Sequence, residues 1–485
     1  MGSTTGESSS EMLVPPPLRW TKRVAKAALV LIALLALVRW AWGRYADARL
    51  AEAIAEARAL GQPFSPEDFR RPGPPLADAD NAAVLLEQAG ASVKVTTSAS
   101  MAPRWDFSSV SELRAFLEAN AGPLAQLRAS RSKPVDWRPE QLLVAPGFAI
   151  FPSGTVRLSD VVDYAARLAD VDGNHAETIE LWRDALFNAC VLRQHPTLDA
   201  ARCAQAVASE LAGQVFERSA NVRIGPAPAA SRAQVESFIA ELLDERGVAN
   251  DIARMLAAQR WMTLDVNQRT AAGQCGFHRA WYGRIITSTP EAWERAVAFA
   301  AGPAIRIDAA RWMRWETSAV AALEAPDFAT ARQRMRQIPW PMEAPLFTAD
   351  FLTSLHARGI NSEGCVFDHF RTLAQRRAAA VALAIRIYRA DHDGAWPATL
   401  DVLALRYIPA LPKDPFDPAG KPLRYLPLAG RQVIYSVGKD GLDDLASGRW
   451  TLPPQRVDEP FRCPDYVFEI SPLFPAATIA PSDPK

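Results

Sequence analysis

Three carboxylates crowd the stretch YSVGKDGLDD, residues 435–444: Asp440, Asp443 and Asp444, set beside Gly438 and Gly441. A hard divalent cation such as calcium takes about six to eight oxygens at roughly 2.3–2.6 Å, supplied by a flexible loop. Aspartates this close together on a glycine-containing loop are part of such a donor set, and Ser436 and Ser447 are near enough to add oxygens. The competing reading is a solvated turn whose aspartates bond to neighbouring backbone amides.

Little else in the chain has ligand or nucleophile spacing. The six histidines (His175, His195, His278, His356, His369 and His392) are scattered, and no HExxH occurs. Asp368-His369 and Asp391-His392-Asp393 stand at opposite ends of one expected helix, and an EF-hand reading of the latter fails because Trp396 takes the glycine position. Ser130-x-x-Lys133 and Ser436-x-x-Lys439 fit SxxK but lack the SDN and KTG partners of that serine chemistry. There is no GxSxG and no P-loop. The five cysteines form no CxxC. Cys190 and Cys203 flank an expected helical turn and are the best placed to bridge in an oxidising compartment, against the reading of all five as small buried apolar side chains.

Several elements must position such a loop. The 485 residues exceed one compact core and predict two or three domains. Lys+Arg and Asp+Glu balance at 54 each, so no basic field calls for nucleic acid. Residues 1–18 read as a disordered, Pro-rich tail. Residues 19–43 read as a transmembrane anchor: Ala27–Val38 is uninterrupted apolar sequence, and Val24–Trp42 reaches roughly 28 Å at ~1.5 Å per residue. Trp20, Trp40 and Trp42 suit the interfaces. Cleavage as a signal peptide is disfavoured, since the one small-x-small candidate, Ala41-Trp42-Gly43, follows Arg39 and Trp40. Arg19, Lys22, Arg23 and Lys26 outnumber Arg39, Arg44 and Arg49, which predicts a cytoplasmic N-terminus. The Ala/Arg/Pro-rich usage is bacterial in character, which places the anchor in the inner membrane and the bulk in the periplasm.

Residues 44–79 predict an exposed helix continuing the anchor and then a hinge, GQPFSPEDFRRPGPP. Residues 80–360 predict a mostly α-helical body broken at PTLD, IGPAPAAS, STPE and AAGP, with caps at several breaks and a long packed loop over 133–157. Residues 361–470 predict a small α+β unit. Its helix carries the core stripe Ala374, Ala378, Val381, Ile385 and Tyr388, while Arg376, Arg377, Arg386 and Arg389 keep the remaining surface wet. Strands follow at PLRYLPL, at RQVIYSVG (half-buried, with Val433, Tyr435 and Val437 alternating) and at 465–470, before a disordered tail, 471–485. The whole is α-rich.

Two stretches resemble known families. GNHAETIELWRDAL (173–186), with Gly173, Ile179, Leu181, Trp182 and Ala185, is similar to the turn and second helix of a tetratricopeptide repeat, which implies protein binding. No second copy follows. The order HDGAWPATLDVL, LPKDPFDPAGKPLRY and VIYSVGKDG resembles the C-terminal domain of the major pseudopilin of type II secretion systems, over about 75 residues. Asp391/Asp393, Gly394, Trp396 and Pro397 match its turn, Asp414-Pro415-Phe416 its DP element, and Tyr435, Ser436, Gly438, Asp440 and Gly441 its closing motif. The resemblance implies a structural calcium ion held by Asp440 and the Val437 carbonyl. Asp443 and Asp444 stand where the family has a longer loop before its second ligand aspartate. The leader-peptidase element of pseudopilins is missing near residues 20–45, so a pilus subunit is not expected. The arrangement as a whole resembles membrane-anchored bacterial envelope proteins that are themselves uncharacterised. The expected function is a structural or interaction protein of the envelope, secretion-related, with other envelope proteins as partners. The alternative is a periplasmic hydrolase whose site lies in the helical body, because carboxylate catalysis needs only two well-placed acids.

Overall fold

A computed structural model describes residues 19–94, 107, 109–138, 152–274, 279–281, 284–286, 291–337, 362–428, 431–446 and 465–470. The chain is mostly helical. Its first helix, α1 (Arg19–Ala59), is a single unbroken rod, long and apolar enough to cross a membrane. Its outer half is bare: Leu29 to Val38 carry large exposed apolar side chains. Its inner half is not the exposed spacer expected. Ala46, Leu50, Ala53 and Ala57 recur at spacings of three and four and are buried, the last three packed with Ala309, Ala310 and Met313 of α10 (Ala292–Ala322). Asp47 pairs with Arg306 at 3.1 Å and Glu56 with Arg314 at 2.8 Å. Alanine at the contact positions lets the two backbones approach, and the ion pairs fix their register.

The Pro-rich segment after α1 is likewise tied down. Phe64 and Phe69 are buried, and Arg254 donates to the Phe69 carbonyl at 2.7 Å. Arg260, on α9 (Val248–Ala271), donates to Gln62 and to the Pro63 carbonyl at 2.6 and 2.9 Å. Proline and glycine here end a helix without freeing the chain.

Helices α2 (Ala82–Ala91), α3 (Val110–Ala119) and α4 (Ala121–Ser130) lead into α5 (Ser153–Val171), α6 (His175–Arg193), α7 (Leu198–Ser219) and α8 (Arg232–Leu243). The tetratricopeptide-like stretch is the α5–α6 hairpin: Gly173 supplies the positive φ of its turn, and Ile179, Leu181 and Trp182 are buried. Caps fall where PTLD and IGPAPAAS predict them, with Thr197 and Ser231 accepting from the Ala200 and Gln234 amides. The expected 133–157 loop is shorter than predicted, since α5 already begins at Ser153; residues 139–151 lie outside the described set. Cys190 and Cys203, on α6 and α7, are free thiols rather than a bridge, and burial pushes the Cys203 thiol up to about 11.

The AAGP break is not a break. Pro303 lies inside α10. Proline cannot donate to the carbonyl four residues back, and the loss costs roughly 3 kcal/mol in a helix interior. That carbonyl belongs to Phe299, and the Arg39 guanidinium of α1 donates to it, Nε at 3.0 Å. A charge-assisted bond of this kind contributes about 1.5–3 kcal/mol, enough to keep the helix continuous.

After α11 (Phe328–Arg336) comes α12 (Ser362–Asp391). The predicted stripe is buried from Ala374 to Ile385, but so are Ala379, Ala380, Ala382, Leu383, Ala384 and Ile387. The helix is surrounded, and Arg376, Arg377 and Arg386 are correspondingly not wet. Arg376, 3% exposed, donates to the Leu242, Glu241 and Asp244 carbonyls at 3.1, 2.9 and 2.9 Å, capping the C-terminal end of α8. Arg386 donates to the Val222 carbonyl, and Arg377 pairs with Glu245 at 2.6 Å.

Three antiparallel strands follow in the order β3 (Arg424–Leu428), β4 (Arg431–Ser436), β5 (Tyr466–Ile470), with Arg424 opposite Tyr435 and Tyr435 opposite Val467. A separate hairpin, β1 (Arg279–Trp281) and β2 (Arg284–Ile286), lies between α9 and α10. β4 is not half-buried: Val433, Ile434, Tyr435, Ser436 and Val437 are all at most 4% exposed. Ile434 packs into the core shared with α12, while Val437 packs with Phe370 and Phe416 on the other side. Phe468 of β5 stacks on Phe216 of α7 at 4.7 Å. The main core therefore runs across residue 361 without a division.

Candidate functional site

The loop that closes β4 is built around Asp414. Its carboxylate is fully buried. Oδ1 accepts from the Phe416 amide at 2.9 Å and the Ser436 hydroxyl at 2.7 Å; Oδ2 accepts from the Val437 amide at 2.9 Å and Arg424 at 3.2 Å. Burial pushes this acid above the ordinary carboxylate range, against the pull of those donors. The next residue but two, Asp417, and the loop's Asp443 complete a fork. Arg424 on β3 reaches Asp443 through Nε at 2.8 Å and Asp417 through Nη2. One guanidinium thus joins three carboxylates; against the pull of burial it holds Asp417 below the usual range, and the Leu445 amide together with it holds Asp443 there.

The expected ligands are distributed unevenly around this bracket. Val437 donates its amide to Asp414. Asp443 accepts from Tyr435 at 3.2 Å and from the Leu445 amide at 3.1 Å, besides Arg424. Asp440 accepts from the Leu442 amide at 3.1 Å, closing a tight local turn. Asp444 enters through its backbone, whose amide donates to Asp465 Oδ2 at 3.1 Å, with Ala446 donating to the same oxygen at 2.8 Å. Leu445 and Ala446 have φ of 55° and 58°, a strained conformation for side-chain-bearing residues. Asp465, 1% exposed, leaves Oδ1 buried without a protein partner. Ser447 lies outside the described residues. Among the described residues, no group of three or more His, Cys, Asp or Glu side chains is arranged to hold a metal ion.

Asp414, Asp417, Arg424 and Asp465 are the site residues that spacing along the loop could not find. Asp414 was visible only as part of the DP element. Asp465 stands 21 positions after Asp444 in sequence and is brought to it by β5 pairing with β4.

Acids with raised pKa lie elsewhere. On α5, burial and the neighbouring Asp163 push Asp160 up to about 7, and burial pushes Asp163 up to about 6. On α10, burial pushes Asp308 up to about 6 and Glu316 up to about 8. A groove of about 970 Å³ runs between α8 and residues 405–409, with Ile239, Leu243, Leu405, Tyr407 and Ile408 in its walls and Glu236 and Arg406 at its edge. None of the four raised acids lines it. A search of family models, curated proteins and solved structures finds no match to this chain.

Proposed function

We propose that this chain is a membrane-anchored protein of the bacterial envelope, inner-membrane and single-pass, with its bulk periplasmic and its role structural or interactive rather than enzymatic. The observation that carries the reading is α1. A bare apolar half and a half fastened to α10 belong to one continuous helix, so the body is held rigidly against the bilayer instead of trailing on a linker. The groove between α8 and residues 405–409 supports a binding role, since its apolar walls are open and no raised acid faces it. Partners on this reading are other envelope proteins, and the pseudopilin-like order of elements at the C-terminal end suggests a link to secretion. The hydrolase reading keeps one specific support, the half-buried Asp160 and Asp163 on α5, whose raised acids are of the kind used in general acid catalysis.

We further propose that the closing loop takes a structural calcium ion. Asp440, Asp443, Asp444 and the Val437 carbonyl are the candidate donors. The buried, unpartnered Oδ1 of Asp465 beside Asp444 fits an added cation, whereas Arg424 already neutralises Asp443 and opposes one. The test is thermal unfolding of the full chain in detergent with calcium and with chelator, for the native sequence and Asp440→Ala. Calcium at a hundredfold excess over its Kd stabilises the native state by about 2.7 kcal/mol, and the substitution removes that gain. Identical melts in all four conditions dismiss the ion.

A further inference from the structure

We infer that the protein touches the membrane at a second place, the first turns of α10, and that the occupant of this surface is the lipid bilayer. The inference rests on α1 being membrane-spanning.

α1 and α10 run parallel. Arg39 meets Phe299, Asp47 meets Arg306, Glu56 meets Arg314 and Gln62 meets Thr317, so the partners advance together along both helices. Following that register backwards, the segment Ala292–Ala298 continues past Arg39 toward the outer end of the apolar run Ala27–Val38. From the level of Phe299 to Ala292 is about 10 Å at ~1.5 Å per residue.

The sequence of these turns, AWERAVAFAA, suits that depth. At ~100° per residue, Trp293, Ala296, Val297, Phe299 and Ala300 fall within one arc of about 160°. All five are exposed, Phe299 by 71% and Trp293 by 52%. Ala298, Ala301 and Gly302 lie on the opposite side and face the body; a Cβ on Gly302 would come within 3.3 Å of Arg39. Glu294 and Arg295 flank the apolar arc at its two edges. The Trp293 indole donates to Glu291 at 2.7 Å, keeping its polar end toward the carboxylate and its ring outward. An exposed apolar arc continuous with a membrane helix and level with its apolar run has the makeup of a segment whose ring side chains enter the acyl region. The chain between Ala271 and Ala292, which carries β1 and β2, also leaves and returns at this end, since Ala271 packs with Ala301 and Ile305.

The test is photolabelling of the full-length protein in nanodiscs that contain a diazirine phospholipid, with adducts mapped by mass spectrometry. Adducts are expected on the tryptic peptides 285–295 and 296–306 as well as on 27–39, at a yield several-fold above that of the body peptide 233–246. Trp293→Ser with Phe299→Ser is expected to lower the yield on 285–306 several-fold and to leave 27–39 unchanged. Labelling of 27–39 without 285–306 in the native protein overturns this inference and leaves the anchor standing, as does labelling indifferent to the double substitution. Absence of label from 27–39 overturns the anchor and the inference together.

Discussion

Glu316 is 2% exposed in the interior of α10, and its Oε1 has no partner. Nearby Arg260 attracts it, but that guanidinium directs donors to Gln62, Thr317 and the Pro63 carbonyl instead. Burial dominates, so the acid stays protonated in the folded protein up to about pH 8, while in the unfolded chain it ionises near pH 4.3. Between those values the folded state holds a proton that the unfolded state has released, and stability falls as pH rises. Asp308 and Asp163, each raised to about 6, act in the same sense lower in the window, and Asp160 at about 7. The last part of the decline, from pH 7 to 8, therefore belongs mainly to Glu316. In Glu316→Gln, urea midpoints of the detergent-solubilised chain should decline less over that interval than in the native protein. An equal decline in both removes Glu316 as the cause. Neither Glu316 nor Arg376 can be told in the sequence from a surface charge. Helical periodicity sorts residues by face of their own helix, and both residues sit on faces that a second helix happens to cover.

At the scale of elements, the hydrophobic period located the parts well. The helix ending at Asp391, the three strands and the Gly173 turn stand where the alternation and the turn residues put them. Errors arose where one element completes another. Pro303 reads as a helix end, because the residue that compensates it, Arg39, is on a helix far away in sequence. That dependence is measurable. Arg39→Ala leaves the Phe299 carbonyl without its donor and should cost about 1–3 kcal/mol of stability. Pro303→Ala restores an amide that can donate to the same carbonyl, so in that background Arg39→Ala should cost less. A double-mutant cycle read by denaturant unfolding should give a coupling of at least about 0.5 kcal/mol. Additive effects would mean that the Phe299 carbonyl is satisfied some other way. The carboxylate bracket follows the same pattern: the run of aspartates in the loop was legible, but Asp414, Arg424 and Asp465 are brought to it only by strand pairing.

At the scale of the whole molecule, the boundary expected at residue 361 is not a gap in the core. α12 is covered by α7 and α8, Arg376 caps α8, Arg232 of α8 pairs with Asp391 at 2.9 Å, and Phe468 stacks on Phe216. A unit cut at 361 would expose the alanine-rich faces of α12 and leave the Arg376 guanidinium without the carbonyls that solvate it. A self-standing domain keeps its own core, and this one borrows half of it. A fragment comprising residues 362–470 should therefore show far-UV helical signal with weak near-UV ellipticity and a broad, non-cooperative melt, whereas the full chain melts cooperatively. A sharp melt with native-like near-UV signal in the fragment would show that the strands and α12 suffice, and that the contacts with α7 and α8 are docking contacts between separate domains. The distinction bears on the proposed function, because a body sharing one core with its C-terminal unit would carry a binding event at that unit into its own packed helices. A flexibly joined module would not.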